Sequence, residues 1–145
     1  MKSEYAMILD QLTSLRRFRK RILDEINASL KDISSMDFYI LHKICSGEEG
    51  RTMSDLSNST GLSNGFITLS IDNLEEKKLV ARKRGPDRRS YVIELTPKGK
   101  ERCMEIERIK NSSLEKVFRN MSKEDLSELR DALKKLNDII EGLMV

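Results

Sequence analysis

This 145-residue chain has no Trp, a single His, two Cys and two Pro, and only 5% aromatic residues. One histidine, His42, is too few for a His-rich zinc site. There is no glycine-rich phosphate loop, no paired metal-ligand motif and no Ser/His/Asp signature, so the expectation is a non-enzyme with no cofactor and no metal. The longest run without a charge, residues 56–71, is mostly Ser, Thr, Asn and Gly. It cannot supply a transmembrane helix, and no membrane partner is expected. The first residues, MKSEYAMILDQL, mix acids with apolar residues and lack the continuous apolar core of a secretory signal, so the expected location is the cytoplasm. Internal repeats, linkers and low-complexity segments are also missing. Cys45 and Cys103 form no CxxC pair. In a reducing compartment they read as two free, buried thiols, with a regulatory disulfide or a sensor thiol as the sharper alternative.

What the chain does have is charge, at 35% of residues, unevenly placed. Residues 34–76 hold two bases and seven acids, whereas residues 77–90 hold seven bases and one acid. The second segment is the one concentrated positive field, within a net charge of only +3.

Apolar spacing defines the elements. Tyr5, Ile8, Leu9, Leu12, Leu15, Phe18, Ile22, Ile26 and Leu30 recur at helical intervals and predict one long amphipathic helix. Its other face carries Arg16, Arg17, Arg19, Lys20 and Arg21, either as a solvated face or as a flank that reaches phosphate. Ser34 or Ser35 can cap a second, largely apolar helix through Ile44, with Asp37 in its first turn. Thr52 with Asp55 forms a capping-box pattern ahead of a short helix anchored by Leu56. Gly61 suits a tight turn, Leu62 packs it, and Ser63 caps a helix whose buried stripe is Ile67, Ile71 and Leu74. Helix, glycine-containing turn, helix is the helix-turn-helix pattern.

The period then changes to two. Val80, Arg82 and Arg84 alternate with Ala81 and Lys83. Beyond GPDRRS, Tyr91, Ile93 and Leu95 alternate with Val92, Glu94 and Thr96. These are two strands of a basic hairpin. Thr96 caps the next helix, with Pro97 at its first position; that helix runs to about Asn120. Ser122 with Asp125 starts the last, carrying Leu126, Leu129, Leu133, Leu136, Ile140 and Leu143. The fold class is therefore mainly α with a small β-hairpin wing: a winged helix-turn-helix between long terminal helices. Residues 34–99 would be the winged lobe of a single domain over 1–145, and residues 1–33 and 100–145 its dimerisation helices.

A winged helix with a basic wing points to double-stranded DNA. Its second helix fits a major groove. Arg88 and Arg89 at the wing tip suit a narrow minor groove, and Arg82, Lys83 and Arg84 on the stem can hold phosphates.

The run LEEKKLVARKR followed by DRRSYVIELTPKG resembles the MarR family of winged-helix regulators. The specific signal is an Asp-Arg-Arg tip before an apolar strand ending in Leu-Thr, with Gly three residues beyond that Thr. The resemblance covers the helix order over essentially the whole chain. It implies that Arg88 or Arg89 enters the minor groove while Asp87 orients the tip through an ion pair. It also implies a homodimer on a pseudo-palindromic operator, usually a repressor, often released by a small aromatic or anionic effector. Where the family commonly carries Arg or Lys on the recognition helix, this chain has Asn64, Leu69 and Asn73, and no Lys or Arg occurs between Arg51 and Lys77. Asn64 and Asn73 then suit adenine, Thr68 a base or phosphate, and Phe66 and Leu69 thymine methyls, although either apolar residue can instead pack inside. Ser63 completes the expected DNA-facing set, which leans towards A·T. The ligand-pocket candidates are Tyr39, His42, Cys45 and Cys103; the family's hydroperoxide sensors use a cysteine near the N-terminus, which this chain lacks. The competing reading is a winged helix turned to protein contacts, favoured by the acidic segment 34–76.

Overall fold

The computed structural model describes residues 1–47, 51–85 and 91–145. They divide into two compact units, 1–111 and 112–145.

In the first unit, helix α1 (Glu4–Ala28) starts where the Ser3 hydroxyl accepts the Ala6 N–H at 3.2 Å. Its stripe is two-sided in fate. Ile26 is fully buried and Ile22 and Leu23 pack on the core, while Tyr5, Ile8, Leu9, Leu15 and Phe18 face outward. The helix stops before Leu30, which the apolar spacing had extended it to include. Leu30 and Ile33 are buried from the turn that follows. Of the two candidate caps of α2 (Ser35–Ser46), Ser34 is the one used, accepting from the Asp37 N–H at 3.2 Å.

Thr52 and Asp55 form the reciprocal capping box of α3 (Met53–Thr60). The hydrogen bonds to Thr52 hold the Asp55 carboxyl below the ordinary range. Gly61 takes the left-handed conformation at φ +72°, and the chain turns into α4 (Asn64–Glu76). Leu56, Ile67, Ile71 and Leu74 are fully buried, each contributing about 1.5–3 kcal/mol.

Helix α4 ends in a Schellman turn: the Leu79 N–H donates to Leu74 O and the Lys78 N–H to Glu75 O, with Lys78 at φ 63°. A lysine in that conformation costs about 1–2 kcal/mol relative to glycine. The carbonyls it presents are used at once: Lys78 O accepts from Thr96 Oγ1 at 2.6 Å, and Leu79 O from the Thr96 N–H at 3.0 Å. A three-stranded antiparallel sheet follows, in the order β1 (Arg51–Thr52), β3 (Tyr91–Leu95), β2 (Val80–Arg84). The hairpin pairs Val80 with Leu95, Arg82 with Ile93 and Arg84 with Tyr91. Strand β1 was not foreseen, because two residues show no period.

Thr96 caps α5 (Pro97–Phe118), accepting from the Gly99 N–H at 3.0 Å. Gly99 is needed for a close approach, since a Cβ there would lie 2.0 Å from Leu79 O. Arg102 on α5 ties back to Asp32 at 2.6 Å.

The second unit holds the end of α5 and helix α6 (Lys123–Leu143), capped by Ser122. None of the residues of α6 is buried, and Leu126, Leu129, Leu133 and Leu143 are exposed.

Candidate nucleic-acid interface

The turn between α3 and α4 is fixed by its own side chains. Ser57 Oγ donates to Leu62 O at 2.7 Å, and Thr60 Oγ1 accepts the Leu62 N–H at 3.2 Å. Ser63 then caps α4, accepting from the Phe66 N–H at 3.3 Å. With Ile67, Ser70, Ile71 and Leu74 turned inward, the opposite face presents Asn64, Phe66, Thr68 and Leu69. Phe66 is 53% and Leu69 59% exposed, so neither packs inside. Thr68 Oγ1 donates to Asn64 O at 2.8 Å, which leaves its lone pairs outward.

Asn73 is placed differently. It is half-buried, and its Nδ2 donates at 3.2 Å to Oδ2 of the buried Asp37 on α2. This bond ties the foot of α4 to the centre of the lobe.

Arg82 is also engaged inside the protein. Its Nη1 donates to Glu75 Oε1 at 3.1 Å, its backbone N–H to Glu75 Oε2 at 3.2 Å, and its Nη2 to Asp72. Burial alone would lower its pKa, but the two carboxylates outweigh it and raise the value further, so the guanidinium stays charged. Arg82 thus links the wing stem to α4. Lys83 pairs with Glu94 across the hairpin at 2.6 Å, and the carboxylate raises its pKa. Arg84 is exposed at the far end of the stem. Asp87, Arg88 and Arg89 lie outside the described residues.

The structure corrects the expectation of free, buried thiols. Cys45 and Cys103 form a disulfide between α2 and α5, Cα to Cα 5.6 Å, and both residues are half-buried. A separation of 58 residues gives no local signal of pairing. Tyr39 is half-buried on α2. His42, one turn before Cys45, is half-buried against Phe38, with Nε2 shielded from solvent and unpaired among the described residues. Burial, then the charges of Lys110, Arg19 and Lys43, push its pKa below 6.5. No cluster of three or more metal-ligating side chains occurs among the described residues. None of the described helices is long and apolar enough to cross a membrane.

No family model matches the sequence. Solved structures do. The chain is 29% identical to FabT of Streptococcus pneumoniae, solved in complex with DNA, covering 97% of this chain and 99% of that one with a TM-score of 0.72. It is 26% identical to the transcriptional regulator BldR of Sulfolobus solfataricus, over 97% and 99% of the two chains, TM-score 0.75. It is 25% identical to a MarR protein of Peptoclostridium difficile, over 98% and 92%, TM-score 0.73. The chain has the winged helix-turn-helix fold of the MarR-family transcriptional regulators, which its wing sequence also resembles.

Proposed function

We propose that this chain is a sequence-specific DNA-binding transcriptional regulator acting as a homodimer on a pseudo-palindromic operator. The observation that carries the reading is one surface: the outward face of α4, locked by Arg82 to the stem of the basic hairpin. Asn64, Thr68, Phe66 and Leu69 are the major-groove readers, with Ser63 at the helix start positioned for a phosphate. Arg84 on the stem and Arg88 and Arg89 at the tip supply the charge for the backbone and minor groove, with Asp87 orienting the tip. Arg82 and Asn73 hold this surface in shape through Asp72, Glu75 and Asp37. Bare apolar faces on α1 and on α6, each within its own unit, support a homodimer, with residues 1–33 and 100–145 as its dimerisation segments and 34–99 as the DNA-reading lobe. Repression relieved by a small-molecule effector, with Tyr39 and His42 near its site, completes the proposal.

Selection of bound sequences from a random duplex pool tests this, with wild type and Arg88→Ala/Arg89→Ala side by side. The expected result is an enriched A·T-leaning palindrome that the double variant fails to enrich. No enrichment with wild type at low salt would instead favour a winged helix devoted to protein contacts.

A further inference from the structure

We propose that the Cys45–Cys103 disulfide is a thiol-exchange site, at which an anionic low-molecular-weight thiol adds to Cys45. The assignment does not depend on DNA binding. The bond closes a loop that contains β1, α3, α4, β2 and β3, so the helix-turn-helix and the hairpin stems hang between its two ends. Both cysteines are half-buried rather than sealed in the core, and accessible disulfides are the exchangeable ones.

The approach is one-sided. Cys45 lines a partly open cavity of about 300 Å³, and Cys103 is not among its lining residues. Its described lining includes the apolar side chains of Ile44, Ile93 and Leu95 and the basic residues Arg51 and Lys100. Glu94, the one acid among the described lining residues, is paired with Lys83. Arg51 lies over Gly47, where a Cβ would come within 2.3 Å of its guanidinium carbon, so the glycine makes room for the charge. The Arg51 Nη1 is shielded from water and has no acceptor among the described residues. A buried donor without a partner is uncommon in folded proteins, and a carboxylate in the cavity would satisfy it.

The step is a simple exchange. The incoming thiolate attacks Cys45 Sγ, the Cys45–Cys103 bond breaks, and the electron pair leaves on Cys103 Sγ, which takes a proton from solvent. The products are a mixed disulfide on Cys45 and a free thiol on Cys103. The incoming thiol is oxidised and Cys103 is reduced, so no further oxidant is required. The reverse attack by the Cys103 thiolate restores the bond and expels the thiol. Each exchange opens the loop that holds the lobe.

The test uses the oxidised full-length chain and two probes of similar size and opposite charge, 3-mercaptopropionate and cysteamine. Exchange is followed by intact mass after acid quench, with rates taken per thiolate. The adduct is mapped after alkylation of free thiols. We expect the adduct on Cys45 and the alkyl group on Cys103. We expect 3-mercaptopropionate to react about tenfold faster than cysteamine at low salt. That ratio should fall towards one in Arg51→Gln, persist in Arg51→Lys, and shrink with salt in the wild type. An adduct on Cys103, no exchange with either probe, or a wild-type ratio that ignores both salt and Arg51→Gln would overturn the assignment.

Discussion

Replacing both cysteines by alanine removes a cross-link without leaving a lone thiol. Its cost follows from chain length rather than from contacts. The bond spans 58 residues, so its loss frees about 14 cal/mol/K of entropy in the unfolded chain, or about 4 kcal/mol at 25 °C. Native-state relaxation trims such figures, and about 2–4 kcal/mol is the usual outcome. For a chain of 145 residues the unfolding entropy near the midpoint is about 0.3 kcal/mol/K. The expected fall in Tm is therefore about 7–13 °C. A circular-dichroism melt of wild type and Cys45→Ala/Cys103→Ala measures it, at one fixed protein concentration because assembly also shifts Tm. Adding a reductant to the wild type should reproduce most of the fall and leave the variant unmoved. A fall of less than about 3 °C, or a wild type indifferent to reductant, would refute the reasoning. The ends of the lobe would then be held by packing and by the Arg102–Asp32 pair instead.

Three further outcomes follow from specific contacts. Gly99→Ala should cost about 2 kcal/mol or more in chemical denaturation, because the new Cβ displaces the Leu79 carbonyl that the Thr96 N–H needs; a neutral effect would mean the turn yields freely. Arg82→Gln should weaken DNA binding without changing its salt slope, since Arg82 is spent on Asp72 and Glu75; a slope smaller by about 0.9 would make it a phosphate contact instead. His42 is held below its ordinary 6.5, so the unfolded chain takes up a proton first as the pH falls. Stability should therefore be level above 6.5 and decline from there down to the lowered folded value, and His42→Gln should flatten that decline; parallel pH profiles for the two proteins would exclude His42 as its source.

What could be read from the sequence was local. The Thr52–Asp55 box, the Ser63 cap and the Ile67–Ile71–Leu74 spacing each lie within one or two turns of helix, and each forms as its pattern requires. The hairpin was legible because alternation over five residues on each strand leaves one pairing that buries Ile93. What escaped depends on distance along the chain. The disulfide, the Asn73–Asp37 bond and the two-residue strand β1 join segments with no shared period, so only the folded chain brings them together. Phe66 was undecidable because it adjoins the buried stripe, and a one-residue rotation separates packing inside from 53% exposure.

The acidic balance of residues 34–76 shows how such distances alter a functional argument. That balance weighed against a nucleic-acid partner when read as open charge. In the fold, Asp37 receives Asn73, Asp55 completes its own cap, and Asp72 and Glu75 grip Arg82 from beyond the segment. Four of its seven acids are thus committed to holding the lobe together. Arg82 in turn is held by these two acids and ties the stem to α4. On the stem, Arg84 stays exposed. The acids of α4 are then part of what positions a basic wing, and a negative recognition segment is compatible with a polyanionic partner.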